Sequence, residues 1–380
     1  MRLLLITKDF PPDVGGILTY CLELAKRFAS SCESFAVVAP RVPDCTEVDR
    51  TLPFDVVRIS SSRSGFATAV LASLPALKRR YRFNAVLGAQ WQASWAALVS
   101  RSVLGPHAVC AAVHGREVLT MHYANVGGAR VFDAARRYTL ARVDRLFPVS
   151  HYTLGLVEEQ GIAFRSAEVV PNGCNAEWFA PRGGEEKRRE LGLNGHKVML
   201  SLCRLVPNKG VDTVIAALPA IAQTVPEVRL LIAGDGEDRG RLEAMVDRVG
   251  VRARVRFLGR VPNEEVPALF TMADVFVMAS REERPCVEGF GLVFLEAGAC
   301  ETAVVGARSG GIPDAILEGK TGFLVSPAAP QELADAVTRL LSDPELAARF
   351  GRTARARILH EHTWDHVALR LQGSISGLLS

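Results

Sequence analysis

Short apolar runs alternate with longer amphipathic stretches along almost the whole chain. The runs are rich in Val, Ile and Leu and predict buried strands, whereas stretches between them, such as LTYCLELAKRFA at 18–29, repeat apolar positions at helical spacing. Such alternation indicates an α/β fold in which helices cover both faces of parallel sheets. The predicted strands are 2–7, 35–39, 55–59, 84–89, 108–113, 145–149, 167–171, 197–205, 228–234, 254–259, 274–280, 302–307 and 321–325.

The alternation pauses once, at residues 171–195, where glycine, proline and charged residues dominate. The pause predicts two doubly wound, Rossmann-like domains of similar size, residues 1–175 and 176–362. Neither half carries the G-x-G-x-x-G fingerprint of dinucleotide binding, since the nearest match, AGDGEDRG, has the wrong spacing. Open parallel sheets bind ligands at the carboxyl ends of their strands, so we expect two such edges to face each other across a cleft.

The composition is that of an ordinary globular protein, with 48% apolar and 23% charged residues among 380. The first apolar run ends at Lys8, too early for the core of an export signal. The Ala/Leu-rich stretch at 67–77 is shorter than the ~18 residues that a membrane span needs. The eight cysteines form no CxxC pair, which is typical of reduced thiols rather than of disulfides or a zinc site. We therefore expect a cytoplasmic protein.

Positive charge concentrates between Ser60 and Arg145, where twelve Lys or Arg residues accompany three acidic ones. One interpretation is a set of solvated helix faces. The other is a surface for an anionic partner, such as a phospholipid headgroup or a phosphorylated acceptor. Helices near 75–82 and 129–145 would then attach the protein peripherally to the inner face of the membrane. Nucleic acid is not an expected partner, because no recognised binding motif accompanies the charge.

Two loops that follow predicted strands are suited to binding a phosphate. In PPDVGGILTY, Gly15 and Gly16 precede a helix, so backbone N–H groups there can approach an anion closely. In CRLVPNKG, Arg204 ends a strand and Lys209 precedes the next helix. Two cations beside a helix N-terminus suit a diphosphate that gains charge as it leaves. Each loop alone is equally compatible with a plain turn or a solvated loop.

The stretch VEGFGLVFLEA at 287–297 places two glutamates in apolar surroundings. Gly289 and Gly291 interrupt any continuous helix, which puts Glu288 on a loop and Glu296 on a helix that opens with LVFLEAGA. A carboxylate on the loop suits sugar hydroxyls, and one a turn or two into the helix suits a ribose diol. Metal binding is the rival explanation, but no His or Asp nearby completes a ligand set.

His114 follows the predicted strand at 108–113 in the motif AVHGRE. At that position a neutral imidazole can hydrogen-bond to a substrate. A lone histidine is more often a structural residue, so its position alone leaves both interpretations open.

The ordered set of motifs resembles that of the retaining glycosyltransferases of family 4, which have the GT-B fold. The resemblance covers nearly all of the chain. Its motifs are GG at 15–16, HGRE, VSHYT, VVPNGCNAEWF, CRLVPNKG, GDGEDRGRLE, FLGRV, EGFGLVFLEA and SGGIPDAILEGKTGFLV. Within the family, VEGFGLVFLEA is most similar to phosphatidylinositol mannosyltransferase-like bacterial enzymes. One stretch departs: AGACETAVV has Glu301 and Ala303 where the family commonly has Gly and Pro, so we expect an altered local backbone there.

The resemblance implies two overlapping sets of site residues. The donor-binding residues would be Gly15, Gly16, Arg204, Lys209, Glu288, Phe290, Gly291, Leu292 and Glu296. The residues with a part in catalysis would be His114, Arg204, Lys209 and Glu288. Within these sets the two cations hold the diphosphate, Glu288 and His114 contact the donor sugar, and Glu296 contacts the ribose. The nucleoside-diphosphate sugar would lie in domain 176–362 and the acceptor in domain 1–175, on which the final helix, 363–380, would pack back.

The resemblance also implies an activity: transfer of a hexosyl unit (mannose, glucose or GlcNAc) from a nucleoside-diphosphate sugar to a hydroxyl of a lipid-linked or anionic acceptor. A double displacement needs a carboxylate nucleophile, and both glutamates are already assigned to binding hydroxyls. We therefore expect a front-face substitution that uses no cofactor and no divalent metal. Two alternatives remain open, a sugar-nucleotide epimerase of the same fold and a non-catalytic subunit on a membrane surface.

Overall fold

The computed structural model describes residues 1–13, 15–62, 64–119 and 129–379, so Arg63, one of the twelve cations counted above, lies outside the described residues. The chain divides into two compact units. The first unit comprises Met1–Gly173 together with Trp364–Ser380, and the second comprises Cys174–Thr363. The predicted assignment of acceptor binding to the first and donor binding to the second remains a prediction.

Within the described residues, the first unit contains six strands and seven α-helices. The strands are β1 Arg2–Ile6, β2 Ser34–Pro40, β3 Asp55–Ile59, β4 Ala85–Gly88, β5 Ala108–Val113 and β6 Arg145–Pro148. The helices are α1 Gly16–Ser31, α2 Cys45–Arg50, α3 Phe66–Tyr81, α4 Trp91–Leu104, α5 Ala129–Arg142, α6 His151–Glu159 and α15 Trp364–Ser376. All strand pairs are parallel, and their order is β3-β2-β1-β4-β5-β6.

The first sheet is buried on both faces, which explains why its strands are continuous apolar runs rather than alternating ones. All six residues of β5 are buried, as are Leu3 to Ile6 of β1. The strand order reverses between β1 and β4, because β1 pairs with β2 on one side and with β4 on the other. In sheets of this kind ligands bind outside the carboxyl ends of the two strands that flank such a reversal.

The described part of the second unit also contains six strands, with eight α-helices. The strands are β7 Lys197–Leu202, β8 Val228–Ala233, β9 Val255–Gly259, β10 Val275–Met278, β11 Val304–Ala307 and β12 Gly322–Val325. The helices are α7 Gly184–Glu190, α8 Val211–Thr224, α9 Arg239–Arg248, α10 Val266–Met272, α11 Leu292–Ala299, α12 Ile312–Ala315, α13 Pro330–Ser342 and α14 Pro344–Glu361. The parallel order is β12-β11-β10-β7-β8-β9, so the reversal lies between β7 and β10.

One predicted strand, 167–171, is wrong. The segment runs beside β6 and exchanges hydrogen bonds with Leu146, but only an isolated bridge between Leu146 and Ala167 results. Pro148 ends β6 and has no N–H to continue the ladder, and Pro171 then ends the segment on the other side. Apolar character alone did not reveal this early termination.

The last helix, α15, belongs to the first unit although 190 residues of the second unit precede it in the chain. Trp364 at its start is 1% exposed, and its ring centroid lies 6.0 Å from that of Tyr20 on α1. Arg27 Nε donates to Asp365 at 3.1 Å. The first unit is therefore completed only when the C-terminal segment has packed against α1.

The backbone at Glu301, where the sequence departs from the usual family pattern, has a positive φ of 61°. This is the left-handed region, which favours glycine because other residues bring Cβ too close to the following carbonyl oxygen. The side chain is 41% exposed and lies 3.9 Å from Arg355. The chain keeps the left-handed turn without the residue that forms it most easily.

Candidate functional site

Lys209 lies on a tight turn at the carboxyl end of β7. The turn Pro207–Lys209 is a single 3₁₀ segment, and Gly210 follows with φ 66° immediately before α8. A Cβ at Gly210 would lie 1.9 Å from the carbonyl oxygen of Ala279, which follows β10. Only glycine allows the backbones at the ends of these two neighbouring strands to approach so closely.

A second set of contacts holds the same two loops together. Arg281 N donates to the carbonyl of Asn208 at 2.9 Å. Its guanidinium donates to both carboxylate oxygens of Asp212, in the first turn of α8, at 2.7 and 3.1 Å. A bidentate pair of this kind fixes geometry as well as charge. The loop that carries Lys209 and the loop that continues towards Glu288 are therefore fixed relative to each other.

Glu288 lies on the irregular segment between β10 and α11, as the sequence predicts. Its carbonyl accepts a hydrogen bond from Gly311 N at 2.9 Å. Gly310, with φ 57°, packs directly against that carbonyl, and a Cβ there would lie 2.2 Å from the oxygen. The glycine pair of the motif SGGIPD is thus what holds the Glu288 loop in place.

The structure brings Lys209 and Glu288 together as an ion pair, with Nζ hydrogen-bonded to Oε2. The two side chains are 19% and 15% exposed. Burial alone would lower the pKa of Lys209, but the charge and hydrogen bond of Glu288 outweigh it and raise that pKa above its ordinary value. Lys209 is therefore a cation throughout the physiological pH range. The shared contact uses one of its three N–H donors and leaves the second carboxylate oxygen of Glu288 for another partner.

Arg204 stands two residues beyond β7 and is exposed. It is close enough to Lys209 for its charge to lower the pKa of that ammonium, the opposite of the effect of Glu288. Its guanidinium makes no hydrogen bond or ion pair with the described residues. Two adjacent cations, one without a protein counter-ion, create a site for a multiply charged anion.

Glu296 lies one turn into α11 and makes no hydrogen bond or ion pair within the described residues. Burial raises its pKa to about 7, from an ordinary value near 4.5. An apolar side chain would be more favourable for folding at such a position. A carboxylate kept there without a protein partner points to donors supplied by a ligand, and sugar hydroxyls are such donors.

The segment between the two glutamates presents backbone rather than side chains. The Phe290 ring is 2% exposed and packs within the second unit, so only its main chain is available. Gly291 caps α11 with φ 91°, and a Cβ there would lie 2.9 Å from the Phe294 ring. Leu292 is the first residue of the helix. The free N–H groups of this turn add positive potential beside Glu288.

Gly15 and Gly16 occupy the corresponding position in the first unit. Gly15 caps α1 in an extended conformation and Gly16 is its first residue. A Cβ placed on Gly15 would meet nothing within 4 Å. The N-terminus of this 16-residue helix is thus open on its outer side, as binding of an anion requires.

His114 directly follows β5 and is held as a neutral imidazole. Burial lowers its pKa to about 4, although a hydrogen bond with the Ala89 backbone acts in the opposite direction. The ring packs edge-on against Tyr20 with centroids 4.8 Å apart. Nε2 is buried and has no hydrogen-bond partner among the described residues. A neutral ring whose Nδ1–H is donated to a carbonyl presents Nε2 as an acceptor for a hydroxyl.

Two family models match the chain. The model for glycosyltransferase family 4 matches residues 14–178, and the model for glycosyl transferases group 1 matches residues 184–357. The GDP-mannose-dependent alpha-(1-6)-phosphatidylinositol monomannoside mannosyltransferase of Mycolicibacterium smegmatis is 33% identical over 99% of this chain and 98% of its own length. The chain belongs to glycosyltransferase family 4.

Another relative of this glycosyltransferase is the GDP-mannose-dependent monoacylated alpha-(1-6)-phosphatidylinositol monomannoside mannosyltransferase of Corynebacterium glutamicum. It is 30% identical over 97% of this chain and 96% of its own length. These matches confirm the predicted family and establish an enzyme that uses a nucleotide sugar.

Solved structures confirm the predicted GT-B fold of the glycosyltransferase. Sucrose-phosphate synthase from Thermosynechococcus elongatus superposes with a TM-score of 0.82 over 100% of this chain and 99% of that one, at 21% identity. Anabaena Alr3699/HepE in complex with UDP-glucose gives 0.81 over 99% of both chains, at 20% identity. At such identities the likeness concerns the fold alone.

Several polar groups in the described part of the glycosyltransferase are buried without a hydrogen-bond partner, and three that the sequence analysis did not single out follow β4 or β10. Ser280 Oγ, fully buried, follows β10 beside the Lys209 loop. Trp91 Nε1 and Gln92 Oε1 follow β4 in the first unit. The one feature of the sequence that could have pointed to Trp91 and Gln92 is the polar stretch GAQWQ at the end of an apolar strand. The sequence does not show whether a buried polar atom is hydrogen-bonded in the folded protein.

Proposed function

We propose that this glycosyltransferase moves a mannosyl unit from GDP-mannose to a hydroxyl of a lipid-linked acceptor, with retention of configuration. The observation that carries the proposal is the arrangement beside β7 and β10. It comprises the Lys209–Glu288 pair together with Arg204 and Glu296, neither of which has a side-chain partner in the part of the chain that the structure describes. The two mannosyltransferases that match this chain over nearly their whole length are GDP-mannose-dependent, which supports mannose and guanosine diphosphate over the other sugars and bases.

Each residue of the candidate site binds a different part of the nucleotide-sugar donor. Arg204 and Lys209 bind the diphosphate, with the N–H groups at the start of α11 beside them. Hydroxyls of the donor sugar donate to Glu288, and the ribose diol donates to Glu296. Arg204, which has no counter-ion among the described residues, and the N–H groups at the start of α11 stabilise the dianionic diphosphate, while the two carboxylates accept hydrogen bonds from the neutral sugar hydroxyls.

Retention follows from a same-face substitution. The acceptor oxygen forms its bond to the anomeric carbon on the face from which the diphosphate departs, while the bond from that carbon to the phosphate oxygen breaks. The acceptor proton passes to the departing phosphate oxygen, so the products are GDP and the glycoside. Arg204 and Lys209 stabilise the charge that develops on the leaving group. This mechanism uses no carboxylate nucleophile and assigns no step to a divalent metal.

The experiment is a melting-temperature panel with UDP, GDP, ADP and their sugars. A nucleotide at a hundredfold excess over its Kd should stabilise the protein by about 2.7 kcal/mol. We expect GDP and GDP-mannose to do so and the uridine compounds to be weaker. Turnover of GDP-mannose without any acceptor to another sugar nucleotide would instead identify an epimerase. No stabilisation by any nucleotide would contradict the proposal.

We further propose that α5 holds the enzyme at an anionic membrane surface. Several of the basic residues counted in the sequence are used internally: Lys78 donates to the Phe83 carbonyl, Arg101 pairs with Asp144, and Arg136 is 1% exposed. The outer face of α5 is different, since its exposed residues are both basic and apolar. They are Arg130, Val131 (74% exposed), Ala134, Arg137, Tyr138 (43% exposed) and Arg142. Of these, Arg137 also pairs with Asp133 at 3.2 Å, so Arg130 and Arg142 are the cations most available to a membrane.

Such a face suits the boundary between lipid headgroups and acyl chains. Within the described ranges no helix is both long and apolar enough to cross a bilayer. Flotation with vesicles containing anionic phospholipid tests the proposal through the double variant R130E/R142E. Two basic residues near the surface contribute about 2 kcal/mol, so binding should fall by at least roughly 30-fold. The matched control is R349E/R352E on α14, and equal loss in both variants would contradict a specific role for α5.

A further inference from the structure

Glu117 is the acidic residue of the motif HGRE, and the structure places its carboxylate on the backbone of His114. Its Oε1 accepts hydrogen bonds from the N–H of His114 and, at 3.3 Å, from the N–H of Gly115. The N–H of Glu117 itself also donates to the carboxylate. Three main-chain donors thus converge on one side chain, directly after the end of β5.

These contacts differ from those of an ordinary helix cap. A capping side chain accepts hydrogen bonds from N–H groups inside the first turn of the helix that follows it. The 3₁₀ turn here is Arg116–Val118, and the carboxylate of Glu117 reaches back to His114 N, before that turn begins. Gly115, between them, has a φ of 118°, which favours glycine. The carboxylate therefore fixes the end of the strand as well as the turn.

A carboxylate is a costly choice at this position. Burial raises the pKa of Glu117 above its ordinary value, although the three hydrogen bonds and the charge of Lys8 act in the opposite direction. A hydroxyl or an amide would satisfy the same backbone donors at a smaller cost of desolvation. A charged acceptor, however, makes shorter and stronger hydrogen bonds than a neutral one. The side chain thus holds the backbone of His114 more firmly than the turn alone requires.

Other contacts of this segment hold the His114 ring and the far end of the turn. The ring is hydrogen-bonded to the Ala89 backbone and packs against Tyr20 with centroids 4.8 Å apart. Buried Arg136 on α5 donates to the carbonyl of Val118 at 2.5 Å. Of these contacts, only that of Glu117 acts on the main chain of His114. Loss of the carboxylate would free the backbone from which the ring projects, and so weaken the hydrogen bond of the ring.

We propose that Glu117 is a positioning residue, which holds the backbone of His114 so that Nε2 keeps the position that the transfer reaction requires. The inference rests on the proposed function and on the part in catalysis that the family resemblance implies for His114. Glu117 touches no reacting group in this proposal and acts only through the imidazole.

The first test is a double-mutant cycle on the whole protein, with E117M, H114A and H114A/E117M. The assay follows the release of GDP from GDP-mannose with water as the acceptor. Misplacement of a reacting group by about 1 Å costs about 100-fold, so we expect a loss of that order in kcat for E117M. E117Q keeps an acceptor oxygen and should lose far less. The double variant should be no slower than H114A alone, because Glu117 acts only through His114.

The second test does not depend on turnover. The ¹⁵N shifts of the His114 ring report which nitrogen carries the proton. The wild type and E117Q should show a proton on Nδ1, and E117M should show a mixture of tautomers. The matched control is E332M, because Glu332 also accepts a backbone N–H just after a strand, from Ser326 at 2.7 Å. E332M should keep both the kcat and the His114 shifts of the wild type.

Unchanged ring shifts in E117M would overturn the inference. A double variant much slower than H114A would also overturn it, because Glu117 would then act independently of the imidazole. If E117M does not fold, E117D, whose carboxylate is one methylene shorter, takes its place with the same expected results. Stabilisation by GDP, measured as melting temperature in the same samples, shows whether the proposed function stands when the role of Glu117 fails.

Discussion

Replacing Lys209 by Met separates the contribution of this residue to catalysis from its contribution to folding. Loss of one fixed cation at a developing negative charge costs about 2.7–4 kcal/mol, which lowers kcat by about 100- to 1,000-fold. The same change leaves Glu288, 15% exposed, without its counter-ion. Breaking a fully buried pair costs about 3–5 kcal/mol and an exposed pair at most about 1, so we expect an intermediate loss near 2 kcal/mol.

The assay compares kcat, KM for GDP-mannose and the free energy of unfolding across K209M, E288Q and the double variant K209M/E288Q. The double variant removes both charges, so its stability should return close to that of the wild type while its kcat stays low. Lys187 offers a matched control, because it is 9% exposed and pairs with Glu190 and Glu265 at 2.7 and 2.8 Å in the same unit. K187M should lose stability and keep its kcat. The reasoning would be refuted if K209M retained near-normal turnover, or if restoring stability in the double variant also restored kcat.

Three further predictions concern titration and backbone strain. Because burial raises the pKa of Glu296 to about 7, the folded state binds the proton more tightly than the unfolded chain, so the wild type should lose stability as pH rises from about 4.5 to 7. E296Q should not show this loss in urea unfolding, and it should bind GDP-mannose more weakly. E301G should be more stable than E301A by roughly 0.5–1 kcal/mol in the same assay. Glycine removes the strain of the left-handed φ, and this gain exceeds the loss that glycine causes by raising the entropy of the unfolded chain. Equal stability of the two variants would contradict the strain. The ring of His114, with a pKa lowered to about 4, should show no NMR titration between pH 5.5 and 8, and a midpoint near 6.5 would contradict its burial.

The sequence predicted the sheets well because buried parallel strands are continuous apolar runs, and such runs are visible without any structure. It failed at 167–171, where two prolines remove hydrogen-bond donors from a ladder that otherwise had the right composition. At Glu301 the sequence predicted only that the backbone would differ from the usual family pattern. It did not predict the left-handed φ, because that angle is set by the turn rather than by the side chain.

The loops that carry the candidate site residues were predictable from the sequence. Arg204, Lys209, Glu288 and Glu296 follow or flank strands whose carboxyl ends share one edge, and that much follows from the order of elements. The ion pair between Lys209 and Glu288 joins residues 79 apart in sequence and depends on Gly210, Gly310 and Arg281, each of which acts through a tertiary contact. Trp91 and Gln92 escaped notice for the same reason, since whether a polar atom has a partner is a property of the packed structure.

The most direct measurement is a crystal structure of the protein with GDP-mannose bound. The account predicts the diphosphate in contact with Arg204 and Lys209, the ribose hydroxyls on Glu296 and the mannose hydroxyls on Glu288. A nucleotide bound away from these four side chains, or a Glu296 that contacts only protein in the complex, would contradict it.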